Sequence, residues 1–197
     1  EQKLKNKNMT CEDGVIINCV LSTGICAFRI GVGIGTIKRA RISNITVKMA
    51  QNLVQFCTAY LNIGKANISD VNFSNISATN TDRLIEAFAN NETYIKDISM
   101  QNIKTTSTMA NYLDAINGVI DNINFKDIEI EYFDRATNLS ENNLKERGNT
   151  LFSINKASNI TFNNVKIKGG FYDNPKKTKF TKCKNVKKIK IHFKFHN

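Results

Sequence analysis

The 197-residue sequence predicts an all-β fold, a right-handed parallel β-helix built as a single-stranded solenoid of about six to seven rungs. Three observations predict it. Short apolar runs alternate inward and outward residues and are closed by Gly, Asn or Ser, as strands of four to eight residues are. A strand motif returns along the chain: SNITV (Ser43–Val47), SDVNF (Ser69–Phe73), KDISM (Lys96–Met100), DNINF (Asp121–Phe125), SNITF (Ser158–Phe162) and KKIKI (Lys187–Ile191). Aligning its third positions as Val15, Ile45, Val71, Ile98, Ile123, Ile160 and Ile189 gives spacings of 30, 26, 27, 25, 37 and 29 residues. A period of this size with one strand motif per turn marks a solenoid, whose coils bury their apolar faces only by stacking.

Taken in order, Glu1–Thr10 is polar and basic and reads as a loop with no visible signal peptide. Cys11–Leu21 reads as a strand, Ser22–Gly24 as a turn and Cys26–Gly31 as the next strand. Glycines 31, 33 and 35 permit a tight turn before ISNITVKM, and no helix follows GVGIG to make it a phosphate loop. Each later rung carries a second run after the NITV-like strand: LVQFC (53–57), LIEAF (84–88), YLDAI (112–116) and LFSIN (151–155). Period-two alternation turns Val54, Ile85, Leu113 and Phe152 inward, with Phe56, Ala87, Ala115 and Ile154. The residues between them face out. With Arg29 at the head, Arg29, Gln55, Glu86, Asp114 and Ser153 are expected to form one polar ladder, its rungs about 4.8 Å apart. The widest interval contains a polar insertion, 134–149, with a short helical turn expected at Glu141–Arg147. It is either a recognition wall beside the ladder or a plain surface excursion.

The whole chain, 1–197, reads as one β-helix domain, and no apolar run approaches the roughly 20 residues that span a bilayer. The net charge of +11 is uneven: nine lysines and no acid follow Asp173, and without them 19 basic residues face 17 acidic ones. Such an end suits a solvated terminal rung that discourages strand pairing, or an acidic glycan; no nucleic-acid module is present. Five cysteines without a C-x-x-C pair read as apolar filler with at least one free thiol, and no metal site is expected. Eight Asn-x-Ser/Thr sequons occur, at Asn8, Asn44, Asn67, Asn72, Asn75, Asn91, Asn138 and Asn159, and read as corner geometry. His192 and His196 read as tail residues, and no cofactor is expected.

The order C-E-x-x-V-I-I-N-C-x-L-S-T-x-x-C-A-F-R-I-G-x-G, then IKRARISNITV, resembles glycoside hydrolase family 28, the polygalacturonases, over about Cys11–Met49. The resemblance implies an extracellular or periplasmic β-helix acting on pectic, galacturonate-type polysaccharide by inversion. Inversion needs an acid and a base roughly 6.5–9.5 Å apart. The family's N-x-D and D-D strands precede the matched segment, and here EQKLKNKNMT stands in their place. Cys26 stands at the family's histidine, Gln55 at its arginine and Cys57 at its lysine, so no catalytic residue is assigned. Arg29, Gln55, Glu86, Asp114 and Ser153 are the expected substrate-binding residues, with Glu86 and Asp114 the one local carboxylate pair. Two explanations stay open: the C-terminal part of a longer hydrolase, favoured because a first rung needs a cap, or a non-enzymatic β-helix adhesin or tailspike-like module. The adhesin would assemble through Phe88 and Ile116.

Overall fold

The computed structural model describes residues 9–59, 64–132, 151–169 and 178–195, with no side-chain description beyond residue 192. The insertion at 134–149, with its expected helical turn, lies outside them, as do Asn8, Asn138 and His196.

Among the described residues fourteen parallel strands form a β-solenoid of about six turns, as the repeat predicts. The first coil is β1 (Thr10–Glu12), β2 (Val15–Ser22) and β3 (Cys26–Ile30); the second is one bent strand, β4 (Ile34–Cys57). The middle coils are β5 (Lys65–Ala78) with β6 (Thr81–Ala89), β7 (Tyr94–Ser107) with β8 (Asn111–Ala115), and β9 (Val119–Tyr132) with β10 (Phe152–Asn155). β11 (Ser158–Gly169) and β12 (Lys179–Thr181) make the sixth, and β13 (Lys184–Lys188) and β14 (Ile191–Phe195) follow.

Strands of 14 residues fold around a core because each is bent twice. Asp13, Arg39, Asp70, Asp97, Asn122, Asn159 and Asn185 stack in one column, and all have φ between 50° and 59°. Five residues further on, Asn18, Asn44, Asn75, Asn102, Asp127 and Asn164 form a second left-handed column. Asn and Asp tolerate this conformation better than other L-residues, so they mark the corners. In the second column the amides chain together: Asn44 Nδ2 donates to Asn18 Oδ1 at 3.2 Å, Asn75 to Asn44 at 3.2 Å and Asn102 to Asn75 at 2.8 Å. Each corner adds one residue between inward positions, so β5 points Ile68, Val71, Phe73, Ile76 and Ala78 inward at steps of three and two.

Two corners of the same chemistry explain where the sequence alignment slips. Ile45 follows the second corner and stacks on Cys19 and Ile76, whereas Val71, Ile98, Ile123 and Ile160 follow the first and continue to Val186. Val15 pairs with Arg41 and points outward, and Ile189 lies beyond the strand, 58% exposed. Asn44, Asn75, Asn91 and Asn159 hold positive-φ turns as the sequons suggest, but Asn67 and Asn72 sit within β5 away from its corners.

The inward columns are mostly apolar and tightly stacked, and Phe125 lies parallel to Phe162 with centroids 5.0 Å apart. Gly31, at φ 100°, passes so close to Cys57 that an added Cβ would lie 2.9 Å from its carbonyl oxygen. Only glycine fits there. Among the described residues no helix is long and apolar enough to cross a membrane.

Candidate functional site

The second runs of each coil form one sheet, and the expected inward residues (Val54, Phe56, Ile85, Ala87, Leu113, Ala115, Phe152 and Ile154) are all buried. On its outer face Arg29 pairs with Gln55, and Gln55 with Glu86. The next partner of Glu86 is Tyr112, which pairs in turn with Ser153 and then Lys179. The observed row is therefore Arg29, Gln55, Glu86, Tyr112, Ser153 and Lys179. Asp114 is displaced by two residues into the neighbouring row, with Cys57, Phe88, Asn155 and Thr181.

Asn111 causes the displacement. It occupies an inward position, fully buried, opposite Phe152. Its Oδ1 accepts from the backbone N–H of Leu84 at 2.8 Å and of Ile85 at 3.1 Å, while its Nδ2 donates to Tyr132 Oη at 2.8 Å and Leu151 O at 3.1 Å. A buried amide is tolerated when it is bonded in this way. Apolar patterning rejects an inward Asn and slides Leu113 into its place. That slip of two residues leaves every side chain on its proper face, so the alternation does not reveal it.

The row is hydrogen-bonded from Arg29 to Glu86. Arg29 Nε donates to Gln55 Oε1 at 2.7 Å, the Cys26 thiol reaches the same oxygen at 3.3 Å, and Gln55 Nε2 donates to Glu86 Oε2 at 2.5 Å. Asn52 Nδ2 donates to that Glu86 oxygen at 3.0 Å, and Arg83 pairs with Glu86 Oε1 at 3.2 Å. Asn52, Gln55 and Arg83 thus hold both oxygens of Glu86, and its side chain is only 13% exposed. Arg83 also lies 5.3 Å from the Tyr112 ring centroid and donates to the Ala110 carbonyl. Sequence reasoning missed Asn52, Arg83 and Tyr112; the spacing of Arg83 and Glu86, three residues apart, gave no signal in a strand.

Cys26, Arg29, Gln55 and Cys57, scattered over 32 residues, converge on this spot. Burial pushes the Cys57 thiol up from its ordinary range, against the opposing pull of an Ala59 backbone hydrogen bond and of Arg29. The other thiols described are also unbridged. Asp114 accepts from Asn155 Nδ2 at 2.8 Å. It is a diagonal neighbour of Glu86, and a direct acid–nucleophile exchange between them would require Glu86 to leave its three partners. The buried Asn52 Oδ1 has no partner among the described residues. Nor do three His, Cys, Asp or Glu side chains converge there to hold a metal ion. Phe88 is half-buried, whereas Ile116 is exposed at the end of the same sheet.

Shallow grooves also follow the second corner column, between Asn44, Asn75 and Asn102 and the row that includes Ser77 and Lys104. A continuation is lined by Asp127, Glu129, Asn164 and Lys166. Lys104 and Lys168 both pair there with Glu129, at 3.7 and 3.0 Å.

No protein-family model and no curated protein matches the chain. The fold is one that carbohydrate-active and carbohydrate-binding proteins can use, and it does not by itself name a family or a substrate.

Proposed function

We propose that this protein is a polysaccharide-binding β-helix of the polygalacturonase type, glycoside hydrolase family 28-like, and that it takes acidic, galacturonate-type chains on the row from Arg29 to Lys179. The observation that carries this reading is the row itself. Arg29, Gln55, Glu86, Tyr112 and Ser153 stand in direct register on successive coils, on strands rather than loops. An extended sugar chain laid along the solenoid axis meets a donor or acceptor at each step of about 4.8 Å, with an aromatic ring midway. Cations mark both ends of the row, Arg29 and Lys179, while the central Glu86 is neutralised by Arg83. That distribution favours a polymer bearing carboxylates over a neutral one. Binding, rather than cleavage, is the activity proposed, because both oxygens of Glu86 are engaged by Asn52, Gln55 and Arg83. By the same resemblance the protein acts outside the cytoplasm.

Isothermal titration with galacturonan oligomers, against neutral oligosaccharides of the same length, tests the reading. Arg29→Ala and Tyr112→Ala are each expected to weaken acidic-oligomer binding by about tenfold, the equivalent of one charge-assisted hydrogen bond or one ring contact. Absence of heat with the wild-type protein overturns it. The alternative, an adhesin or tailspike-like module, is favoured by the exposed Ile116 and Val119 beside this sheet, 47% and 45% exposed. A stable trimer broken by Ile116→Lys would support that alternative.

A further inference from the structure

The corner amides of the second left-handed column form a ladder of one polarity. Asn44, Asn75 and Asn102 each donate through Nδ2 to the Oδ1 of the coil before, those of Asn18, Asn44 and Asn75 in turn. Asn164 does the same to Asp127 Oδ1 at 2.6 Å. The link from residue 127 to Asn102 is missing. The two stack in register, between the pairs Gln101–Lys126 and Ile103–Ile128, but a carboxylate offers only acceptors. Asn102 Oδ1 and the second carboxylate oxygen of Asp127 are therefore left without a donor among the described residues. The first column also sets two acids in succession, Asp70 and Asp97, but there Arg41 donates to Asp70 at 3.1 Å and Asn122 to Asp97 at 2.7 Å.

The gap falls where the two shallow grooves meet. Asn102 and Lys104 line both: one, of about 500 Å³, reaches Asn44 and Thr46, and the other, of about 270 Å³, reaches Asn164 and Lys166. Together they make a trough along the solenoid axis. Its wall is Thr46, Ser77, Lys104, Glu129 and Lys166, in register on successive coils with a step of about 4.8 Å. Charge within it is nearly balanced. Glu129 is taken by Lys168 at 3.0 Å, whereas Lys104 is loosely held, 3.7 Å from Glu129 with its side chain 67% exposed. Lys166 is exposed as well.

We propose that this trough is a second carbohydrate-binding surface, one that takes a linear, uncharged polysaccharide. A sugar hydroxyl both donates and accepts. Seated at the gap, it donates to Asn102 Oδ1 or to Asp127, the donor the ladder lacks, and accepts from the loosely held Lys104. A polyanion would meet the Asp127 carboxylate and a polycation the lysines, so a neutral chain rich in hydroxyls suits the mixture. Thr46 and Ser77 carry the same hydrogen-bonding chemistry toward the earlier coils. No aromatic ring is among the described residues that line the trough, so recognition is by hydrogen bonds rather than by stacking. The proposal does not rest on the Arg29 row, which lies on the other sheet of the solenoid.

Titration of the full chain with neutral gluco-, xylo-, manno- and galacto-oligosaccharides, followed by calorimetry, tests it. At least one of the four is expected to bind. Asp127→Asn supplies the missing donor from within the protein, keeps an acceptor for Asn164 and breaks no ion pair among the described residues. It is expected to weaken neutral-sugar binding by about tenfold, the equivalent of one hydrogen bond to a charged group. The same substitution should raise the thermal midpoint by about 2–4 °C, because the ladder then closes. Opposite signs in the two readouts separate loss of the site from loss of the fold. Binding of galacturonan oligomers should be untouched by Asp127→Asn, so failure here and failure of the acidic-chain reading are told apart. No binding of any of the four neutral sugars, binding indifferent to Asp127→Asn, or a thermal midpoint that does not rise overturns the proposal.

Discussion

Replacing Asn111 by alanine should reveal how strongly one buried amide sets the register of the candidate site. In the native protein its Oδ1 serves two backbone N–H groups of β6, those of Leu84 and Ile85, in a fully buried position. Alanine leaves both donors without that acceptor. Each such loss is worth about 1–3 kcal/mol. The Leu151 carbonyl retains Tyr132 Oη at 3.0 Å and the residue-111 N–H at 2.9 Å, so the far side of the network survives. The expected destabilisation is therefore about 2–5 kcal/mol, a large share of the roughly 5–15 kcal/mol that holds a domain together. Urea unfolding followed by circular dichroism measures it as a midpoint lowered by about 1–2 M. Asn111→Leu, which restores volume but supplies no acceptor, should be nearly as damaging. A loss below about 1 kcal/mol, or full rescue by leucine, would refute the argument that hydrogen bonding, rather than space-filling, fixes Tyr112 opposite Glu86.

Other consequences follow from the corners, the carboxylates and the thiols. Asn75→Ala removes a left-handed-tolerant residue and two rungs of the amide chain and should destabilise by about 1–3 kcal/mol, whereas Asn75→Gly, which keeps the conformation, should cost less. Comparing their melting profiles separates backbone preference from hydrogen bonding. Hydrogen bonds from Ser158 and Asn159 hold Asp121 below its ordinary 3.8, and Lys168 holds Glu129 below its ordinary 4.5. Both carboxyls are depressed in the folded state, so their stabilisation is complete above the ordinary values and lost as pH falls from about 4.5 through the lowered ones. Glu129→Gln should flatten that acid limb of the stability curve by less than about 1 kcal/mol, since the pairs are partly exposed. With a disulfide reagent at pH 8, exposed Cys11 should react first and Cys57, raised by burial, among the slowest; equal rates would contradict the placement of β4.

The candidate site shows why a mostly correct sequence reading still misplaced one residue. Gln55, Glu86 and Ser153 were assignable to one row because Val54, Phe56, Ile85, Ala87, Phe152 and Ile154 bracket them with apolar neighbours. Asp114 has the same bracketing, from Leu113 and Ala115, and differs only in register. Arg83 and Asn52 carry no pattern at all; Arg83 meets Glu86 at 3.2 Å within β6 itself, and Asn52 meets it at 3.0 Å only once β6 stacks on β4.

By itself, the sequence determined that the chain coils, roughly how often, and which side chains enter the core, because burial of alternating apolar residues is a local pattern repeated in every turn. Tertiary structure alone decided which residue sits above which. Alternation has a period of two and is blind to a slip of two, and two Asn/Asp corners five residues apart offer equivalent anchors to any alignment. Stacking removes both ambiguities. Corner amides bond to the coils above and below, and Asn111 ties β8 to β6 through the core.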